Sequence, residues 1–347
     1  MLTALHDLQL LVTGAAGWLG LNLLQKISDL PPGSRPRQVT CLVLPGQDTE
    51  AIRRILPSIT IIEGDVRNFS DCQRFCEGKP SGILLHTAGI IHPKKVSDFY
   101  DINLLGCENL LNAAVNQKLG RAVIVSSNSP CGCNPHPDHL FDEASPYNPY
   151  MHYGRSKMQM ELAVQRISAK NPLKTVIIRA PWFYGPHQPA RQTLFFKMIR
   201  DGKAPVVGNG ENLRSMANTS KLGESLLLAA ASDKAPGQIY WIADSRPYSM
   251  LEIIGTIESL LEEAGIKCAH KRMKLPGVAS DIAYVVDKCL QAVGLYHQKF
   301  HVLSEMNKTI ACNVQKAVTE LGYEPATSLH EGMRASIKSC LSELHEQ

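Results

Sequence analysis

The stretch LQLLVTGAAGWLG, residues 8–20, decides the fold of this 347-residue chain. Residues 8–12 form a short apolar run, which is typical of a buried strand. Three glycines follow this run: Gly14, Gly17 and Gly20. Apolar residues at helical spacing come after them. Glycines permit a tight turn and a close approach of backbone to phosphate, and a helix N-terminus stabilises negative charge. This strand–turn–helix unit therefore predicts a dinucleotide-binding site.

Five further runs are typical of strands: 39–44, 59–62, 83–85, 123–125 and 175–179. Helical patterns lie between them. Strands that alternate with helices predict a parallel sheet with helices on both faces. Polar residues and glycines stand where these runs end, and ligands of such sheets bind at the carboxyl ends of the strands. We therefore predict an α/β fold of the Rossmann type, with a doubly wound parallel sheet.

The end of the second strand leaves the cofactor preference open. An acidic residue there would bind the adenosine ribose of NAD, and an arginine would favour NADP. Residues 44–46 are Leu-Pro-Gly, and Asp48 comes late. Four arginines remain as candidates for a ribose phosphate: Arg35, Arg37, Arg53 and Arg54. Both NAD and NADP are compatible with this sequence.

A helical stretch from Tyr150 to Ala169 carries the predicted proton-transfer pair, Tyr153 and Lys157. Residues four apart lie on one face of a helix, so both side chains are expected to point into the same cleft. A nearby ammonium lowers the pKa of a phenol. A tyrosine in this setting can exchange a proton with a substrate oxygen.

Six spaced motifs are TGAAGWLG at 13–20, GDV at 64–66, HTAG at 86–89, DINLLG at 101–106, VSS at 125–127 and YGRSK at 153–157. Together they resemble the extended short-chain dehydrogenase/reductase family, also called the NAD-dependent epimerase/dehydratase superfamily. The resemblance implies that Ser127, Tyr153 and Lys157 are catalytic. It also implies that the cofactor is bound by Gly14, Gly17, Trp18, Leu19, Gly20, Asp65, Val66, Ala88, Gly89, Asn103, Ser126, Tyr153, Lys157, Pro181 and Phe183.

The second half of the chain resembles the smaller substrate lobe of that family, mixed but mostly helical. Helices are predicted at 193–201, 220–232, 249–264, 278–293 and 329–344, and a strand at 238–243. We expect residues 1–185 to form the cofactor-binding domain, with 238–243 returning to it. Residues 186–347 are expected to form mainly the substrate lobe.

Four residues are expected to bind the substrate: Ser127, Asn128, Trp182 and Arg214. Two of them give different indications of the substrate class. Trp182 stands where nucleotide-sugar members place an asparagine, whereas Arg214 stands where they hold a phosphate. The segment 274–277, which leads into an apolar helix, looks like the 3β-hydroxysteroid dehydrogenase branch. Trp182 and that helix favour a simple alcohol/ketone oxidoreductase. A nucleotide-sugar epimerase using the same site is the alternative, and a non-catalytic cofactor-sensing protein is an alternative of another class.

Composition and charge limit the expected partners to a small-molecule substrate. The net charge is +4 with no long basic run, so nucleic acid is not an expected partner. Residues 1–10 lack the basic start of a secretory signal, and the apolar stretch 278–295 carries three charged residues, so no membrane contact is expected. The ten cysteines form no CxxC pair, which indicates reduced thiols and a cytoplasmic protein. We also expect a homodimer.

A cysteine and histidine cluster resembles a metal site by residue type alone: Cys131, Cys133, His136 and His139. Its spacing is not that of a zinc site, and prolines interrupt it. We therefore expect no metal and interpret this segment as a loop that lines the substrate pocket.

Overall fold

The computed structural model describes residues 5–326 and 328–345. The strands are β1 (Gln9–Thr13), β2 (Gln38–Val43), β3 (Thr60–Glu63), β4 (Ile83–His86), β5 (Arg121–Ser127), β6 (Lys174–Ala180), β7 (Trp182–Tyr184), β8 (Pro205–Val207), β9 (Leu213–Arg214), β10 (Met216–Asn218), β11 (Ile239–Trp241), β12 (Tyr248–Ser249) and β13 (Met273–Leu275). The α-helices are α1 (Trp18–Asp29), α2 (Glu50–Ile55), α3 (Phe69–Cys76), α4 (Gly106–Asn116), α5 (Met151–Lys170), α6 (Ala190–Arg200), α7 (Thr219–Ala231), α8 (Met250–Glu263), α9 (Val278–Ala292), α10 (Gln298–Glu305), α11 (Gln315–Leu321), α12 (Leu329–Ser339) and α13 (Leu341–His345). A 3-10 turn spans Pro32–Ser34, and a π-helix spans Phe99–Leu105.

Seven parallel strands form the central sheet in the order β11-β6-β5-β4-β1-β2-β3. The order reverses beside β1, which is the switch point of a doubly wound sheet. The predicted Rossmann-type fold is confirmed. The strand at 239–241 closes the far edge of the sheet by pairing with β6.

Alternation of side chains along β1 explains why helices cover both faces of the sheet. Leu10 and Val12 point to one face, where they share a buried cluster with residues of α1 and α7. Leu11 points to the other face and joins a cluster with Leu110 of α4 and Met160 of α5. The sheet thus places α5, which carries Tyr153 and Lys157 four residues apart along one face, directly against the middle strands.

A third buried cluster unites α6, α8 and α12 around Tyr184, Phe196, Ile254 and Met333. One helix prediction needs correction in this structure. The helix expected at 329–344 is interrupted at Cys340. The π-helix at Phe99–Leu105 leads directly into α4. The division of the chain at residue 185 stays a prediction.

Helix α9 has its polar side inward. Ser280, Asp287 and Gln291 are buried, whereas its apolar residues Ile282 and Val285 are 60% and 57% exposed. The apolar character of this stretch, which favoured an alcohol/ketone oxidoreductase in the sequence, therefore lies largely on the exposed side of the helix. No helix within the described ranges combines the length and apolar character that crossing a bilayer requires.

Candidate active site

The glycine turn after β1 is shaped for a phosphate. Gly14 has a φ of +71°, and a Cβ on it would lie 2.6 Å from the backbone nitrogen of Ala88. A Cβ on Gly20 would lie 2.1 Å from the carbonyl oxygen of Gly14. Helix α1 begins after Gly17, which supplies no side-chain cap. Its first N–H groups can therefore bind an anion such as the cofactor pyrophosphate, so these residues fit a dinucleotide.

Two other residues expected at this turn have different surroundings. Trp18 donates from Nε1 to the carbonyl oxygen of Pro186 at 2.8 Å, and its ring lies edge-on to Phe183 with centroids 6.1 Å apart. The structure thus brings Trp18 and Phe183 together. The side chain of Leu19 is buried in the core beneath the turn, so only its backbone can face a ligand.

Asn103 fixes the loop that follows β4. Its side chain accepts from the backbone N–H of Ile90 at 2.9 Å and donates to the carbonyl oxygen of the same residue at 3.0 Å. A Cβ on Gly89 would lie 3.1 Å from Asn103 Oδ1 and 3.5 Å from Lys157 Nζ. The π-helix therefore positions Asn103 so that Ala88, Gly89 and Lys157 share one side of the cleft.

Lys157 is buried and bound to the sheet. Its Nζ donates to the carbonyl oxygen of Val125 at 3.0 Å and lies 3.6 Å from Met160 Sδ. Burial lowers the pKa of Lys157 to about 8, although Cys107 and Glu161 act in the opposite direction. A buried ammonium at this place is poised to hold hydroxyl groups of a ligand.

Tyr153 lies one helical turn away and is 9% exposed. Its ring packs against Phe99 with centroids 5.7 Å apart. Burial raises the pKa of Tyr153 to about 12, although a hydrogen bond with Ser127 acts to lower it. The ammonium of Lys157 is engaged by the carbonyl oxygen of Val125, and the lowering of the Tyr153 pKa by Lys157 stays a prediction.

The two serines at the end of β5 have different partners. Ser126 donates to Glu161 Oε1 at 2.5 Å, deep beneath the cleft. Ser127 Oγ contacts Ser129 Oγ at 3.3 Å and Asn128 Oδ1 at 3.4 Å, and its hydroxyl faces Tyr153. Ser127 is therefore the serine that can orient a substrate oxygen, with Asn128 beside it.

A buried ion pair supports the site from below, and sequence reasoning missed it. Arg179 of β6 donates from Nη2 to Glu161 Oε2 at 2.7 Å, and both side chains are almost fully buried. Tyr147 donates to the same oxygen at 2.9 Å. An arginine inside the apolar strand β6 was the available signal, but its partner could not be identified from sequence.

Asp65, which the sequence predicted to contact the cofactor, is held by Arg67. Arg67 Nε donates to Asp65 Oδ2 at 2.9 Å, and this hydrogen bond lowers the pKa of Asp65 in spite of partial burial. Val66 is buried and contributes packing. Two candidate arginines are engaged elsewhere, since Arg35 bonds backbone carbonyls and Arg54 pairs with Glu50.

The predicted substrate residues Trp182 and Arg214 are brought together. The Arg214 guanidinium lies over the Trp182 ring, 5.8 Å from its centroid. Arg214 Nη1 makes only long hydrogen bonds, 3.3 Å to the carbonyl oxygen of Glu305 and 3.4 Å to that of Lys308. Both side chains are half-buried, so the guanidinium retains donors for a ligand.

Sequence reasoning also missed Tyr296, which lies between α9 and α10. Its hydroxyl bonds His92 Nδ1 at 2.7 Å, and its ring packs edge-on to Phe99 at 5.3 Å. Phe99 in turn contacts Tyr153. Tyr296 therefore belongs to the wall beside Tyr153. Because Tyr296 is far from Tyr153 in the sequence, no local pattern could predict that the two residues lie close together.

In the segment 131–139, Cys131 and His139 contact neighbouring protein groups. Cys131 is buried with Phe141 and Trp241, and His139 Nδ1 accepts from Asn134 Nδ2 at 2.9 Å. Within the described ranges, no three side chains of metal-binding type lie close enough to share an ion. All ten cysteines are free thiols.

The chain belongs to the NAD dependent epimerase/dehydratase family, whose profile matches residues 10–243. It is an enzyme of that family by this match, which agrees with the sheet topology and with the glycine turn.

Two relatives and one solved structure show its place in the family. The chain is 46% identical to an uncharacterized protein of Sinorhizobium fredii, y4nL, over 95% of this chain and 94% of the relative. It is 24% identical to 3beta-hydroxysteroid-dehydrogenase/decarboxylase isoform 1 of Arabidopsis thaliana, over 94% of this chain and 78% of the relative. The fold is similar to that of the UDP-glucose 4-epimerase of Thermotoga maritima, with a TM-score of 0.77 at 18% identity, over 97% of this chain and all of the other.

Proposed function

We propose that the protein catalyses reversible hydride transfer between a nicotinamide cofactor, NAD or NADP, and a secondary alcohol or ketone carbon. The observation that carries this proposal is the gathering of Ser127, Tyr153 and Lys157 beside the loop at Gly89. The likeness to a hydroxysteroid dehydrogenase supports the oxidoreductase class.

Each residue has a proposed role. Tyr153 gives a proton to the substrate oxygen during ketone reduction and takes it back during alcohol oxidation. Ser127 orients that oxygen, and Lys157 holds the ribose next to the reacting ring. The cofactor, when bound, supplies or accepts the hydride. Because Tyr153 is nearly enclosed by Phe99 and its neighbours, water is kept from the reacting oxygen.

The proposal assigns cofactor binding and substrate binding to different parts of the chain. Residues 1–185, with the strand at 239–241, hold the cofactor through the glycine turn, and residues 186–347 mainly bind the substrate. The buried ion pair of Glu161 and Arg179 ties α5 to β6, so the catalytic helix keeps a fixed distance from the sheet.

Calorimetric titration with NAD, NADH, NADP and NADPH tests the first half of this proposal. We expect at least one form to bind, and a Gly14→Val variant to lose it because the added side chain collides with the loop at Ala88. A panel of hydroxysteroids and nucleotide-diphosphate sugars then tests the second half, with absorbance of the reduced nicotinamide as the readout. Absence of binding by all four forms would overturn the proposal.

A second candidate function is epimerisation of a diphosphate-linked sugar through a transient ketone. Arg214 favours it, because a half-buried guanidinium with only long hydrogen bonds suits a diphosphate. An epimerase returns its hydride to the substrate, so product would form without net change of the cofactor. That result in the same assay would replace the oxidoreductase proposal with this one.

We also propose a homodimer located in the cytoplasm, on the strength of the family likeness. Sedimentation equilibrium of the purified protein and fractionation of the source cells would measure both. A monomer, or recovery outside the cytoplasmic fraction, would contradict them.

A further inference from the structure

Three polar residues form a buried hydrogen-bond relay behind the catalytic helix. His301 Nδ1 lies 2.8 Å from Asp287 Oδ2, and Gln291 Nε2 donates to the same oxygen at 2.8 Å. The exposed fractions of Asp287, Gln291 and His301 are 0%, 3% and 6%. The relay belongs to α9 and α10, outside the residues assigned to the cofactor or to proton transfer.

The relay ends at the start of α5. Gln291 Oε1 accepts from the backbone N–H of His152 at 3.1 Å, although 139 positions separate the two residues. The helix has no capping side chain of its own at Tyr150 and no acidic residue in its first turn. Met151, its first residue, has a φ of +51°, a strained value for a residue with a side chain. The start of α5 therefore depends on a cap from another element.

Helices α9 and α10, together with the segment between them, form a hairpin, which contacts the start of α5 at two further points. Tyr150 donates to Ser304 Oγ of α10 at 2.7 Å. Tyr296, between α9 and α10, packs on Phe99, which packs on Tyr153. The α9–α10 hairpin thus holds the residues just before Tyr153 and also the ring beside it.

Burying the three polar residues of the relay costs free energy. A buried carboxylate loses hydration, and Asp287 Oδ1 has no hydrogen-bond partner among the described residues. To bury this side, α9 leaves Ile282 and Val285 in solvent. An apolar inner face would have buried more apolar surface. A function at the end of the relay explains why the polar face is inside.

We propose that Gln291 is a positioning residue that caps the catalytic helix from outside, held in place by Asp287 and His301, and thereby sets the position of Tyr153. This inference rests on the proposed role of Tyr153 in proton transfer. It assigns to the α9–α10 hairpin the task of aligning the proton donor with the substrate oxygen.

Hydrogen exchange tests the cap. Gln291→Met keeps the size of the side chain but removes the acceptor, and Gln298→Met, at the exposed first position of α10, is the matched control. We expect the amide of His152 to exchange about 5-fold faster in Gln291→Met, the usual effect of a lost cap, and unchanged in Gln298→Met. Equal exchange in wild type and Gln291→Met would overturn the proposal.

Titration of Tyr153 tests the positioning. Protein labelled with fluorotyrosine is followed by fluorine NMR, with the Tyr153 signal assigned by Tyr153→Phe; ring fluorine brings the titration to an accessible pH. We expect Gln291→Met to lower the midpoint by about half a pH unit or more, toward the ordinary value, because the ring becomes better solvated. Glu305 and Arg191, which also act on this pKa, are the same in every variant. Faster exchange with an unchanged midpoint would show a structural cap only.

These measurements remain informative if the proposed function fails. Neither uses turnover, so each reports on the relay whatever the substrate is. Failure of the proposed function would instead appear as undiminished turnover in Tyr153→Phe. Failure of the inference would appear as an unmoved Tyr153 midpoint in Gln291→Met.

Discussion

The Nζ atom of Lys157 is held by the carbonyl oxygen of Val125, 3.0 Å away, rather than by the phenol of Tyr153. Burial acts on the two side chains in opposite directions. It lowers the pKa of Lys157 to about 8 and raises that of Tyr153 to about 12. As pH rises, the first proton to leave this pair therefore comes from the ammonium, and apparent pKa values belong to the pair.

This order of proton loss predicts the pH dependence of the two reaction directions. Alcohol oxidation needs a site with one proton fewer, so its kcat/KM should rise as pH passes through about 8. Ketone reduction needs that proton and should fall over the same interval. Lys157→Met should remove the inflection and weaken cofactor binding in calorimetry. An unchanged inflection in this variant would assign it to another group.

Tyr153→Phe should lower kcat by roughly 10² to 10⁴, the usual contribution of a general acid/base. The ring and its contact with Phe99 are kept, so the melting temperature and the cofactor Kd should stay close to wild type. Steady-state kinetics with the substrate found in the panel provides the measurement. Near-normal kcat would show that Tyr153 is structural, and the role of Ser127 would fall with it.

The adjacent serines allow a matched pair of variants. Ser126→Ala removes a buried hydrogen bond to Glu161 and should lower the free energy of unfolding by about 1–3 kcal/mol, with little change in kcat. Ser127→Ala should lower kcat and leave stability nearly unchanged, because its contacts are long. Urea unfolding and kinetics on both proteins would separate the roles. The opposite outcome would place Ser126 at the substrate.

Local patterns were sufficient to predict the sheet, because the strands of the Rossmann-type core are short apolar runs, and most of them end in glycine or polar residues. The glycine turn at Gly14 and the pair of Tyr153 and Lys157 were likewise visible, since their chemistry depends on neighbours within one turn. The position of Gly14 in the turn before α1 follows from the strand–turn–helix pattern, and the shared face of Tyr153 and Lys157 on α5 follows from helical periodicity.

The rest depends on contacts between distant segments. The bond from Gln291 to His152 and the ion pair of Glu161 with Arg179 join elements whose pairing no local pattern records. The orientation of α9 was missed for a similar reason. The sequence predicted a helix in an apolar stretch with three charged residues, but the side that faces the protein is decided by Asp287 and its buried partners.

The buried ion pair predicts a large loss of stability when one partner is removed. Arg179→Met would leave the Glu161 carboxylate buried without its cation, at a cost of about 3–5 kcal/mol in the free energy of unfolding. Glu161→Leu combined with Arg179→Met should recover much of that loss, because no charge then remains buried. Urea unfolding of the three variants measures this. An Arg179→Met protein as stable as wild type would mean that Tyr147 and Ser126 suffice to hold the carboxylate.

The pair of Arg214 and Trp182 predicts which substrate class the lobe accepts. If the substrate carries a diphosphate, Arg214→Ala should raise KM strongly, since a charge-assisted contact is lost. If it is an apolar alcohol or ketone, Trp182→Ala should raise KM more, because the ring offers the larger apolar surface. The two side chains touch, so each variant also disturbs the other residue, and Arg214→Lys is needed as a control that keeps the charge but loses the planar stacking. If Arg214→Lys restores KM, Arg214 binds a phosphate. If KM stays high in Arg214→Lys and rises equally in Trp182→Ala, the stacked pair itself is the apolar surface for the substrate.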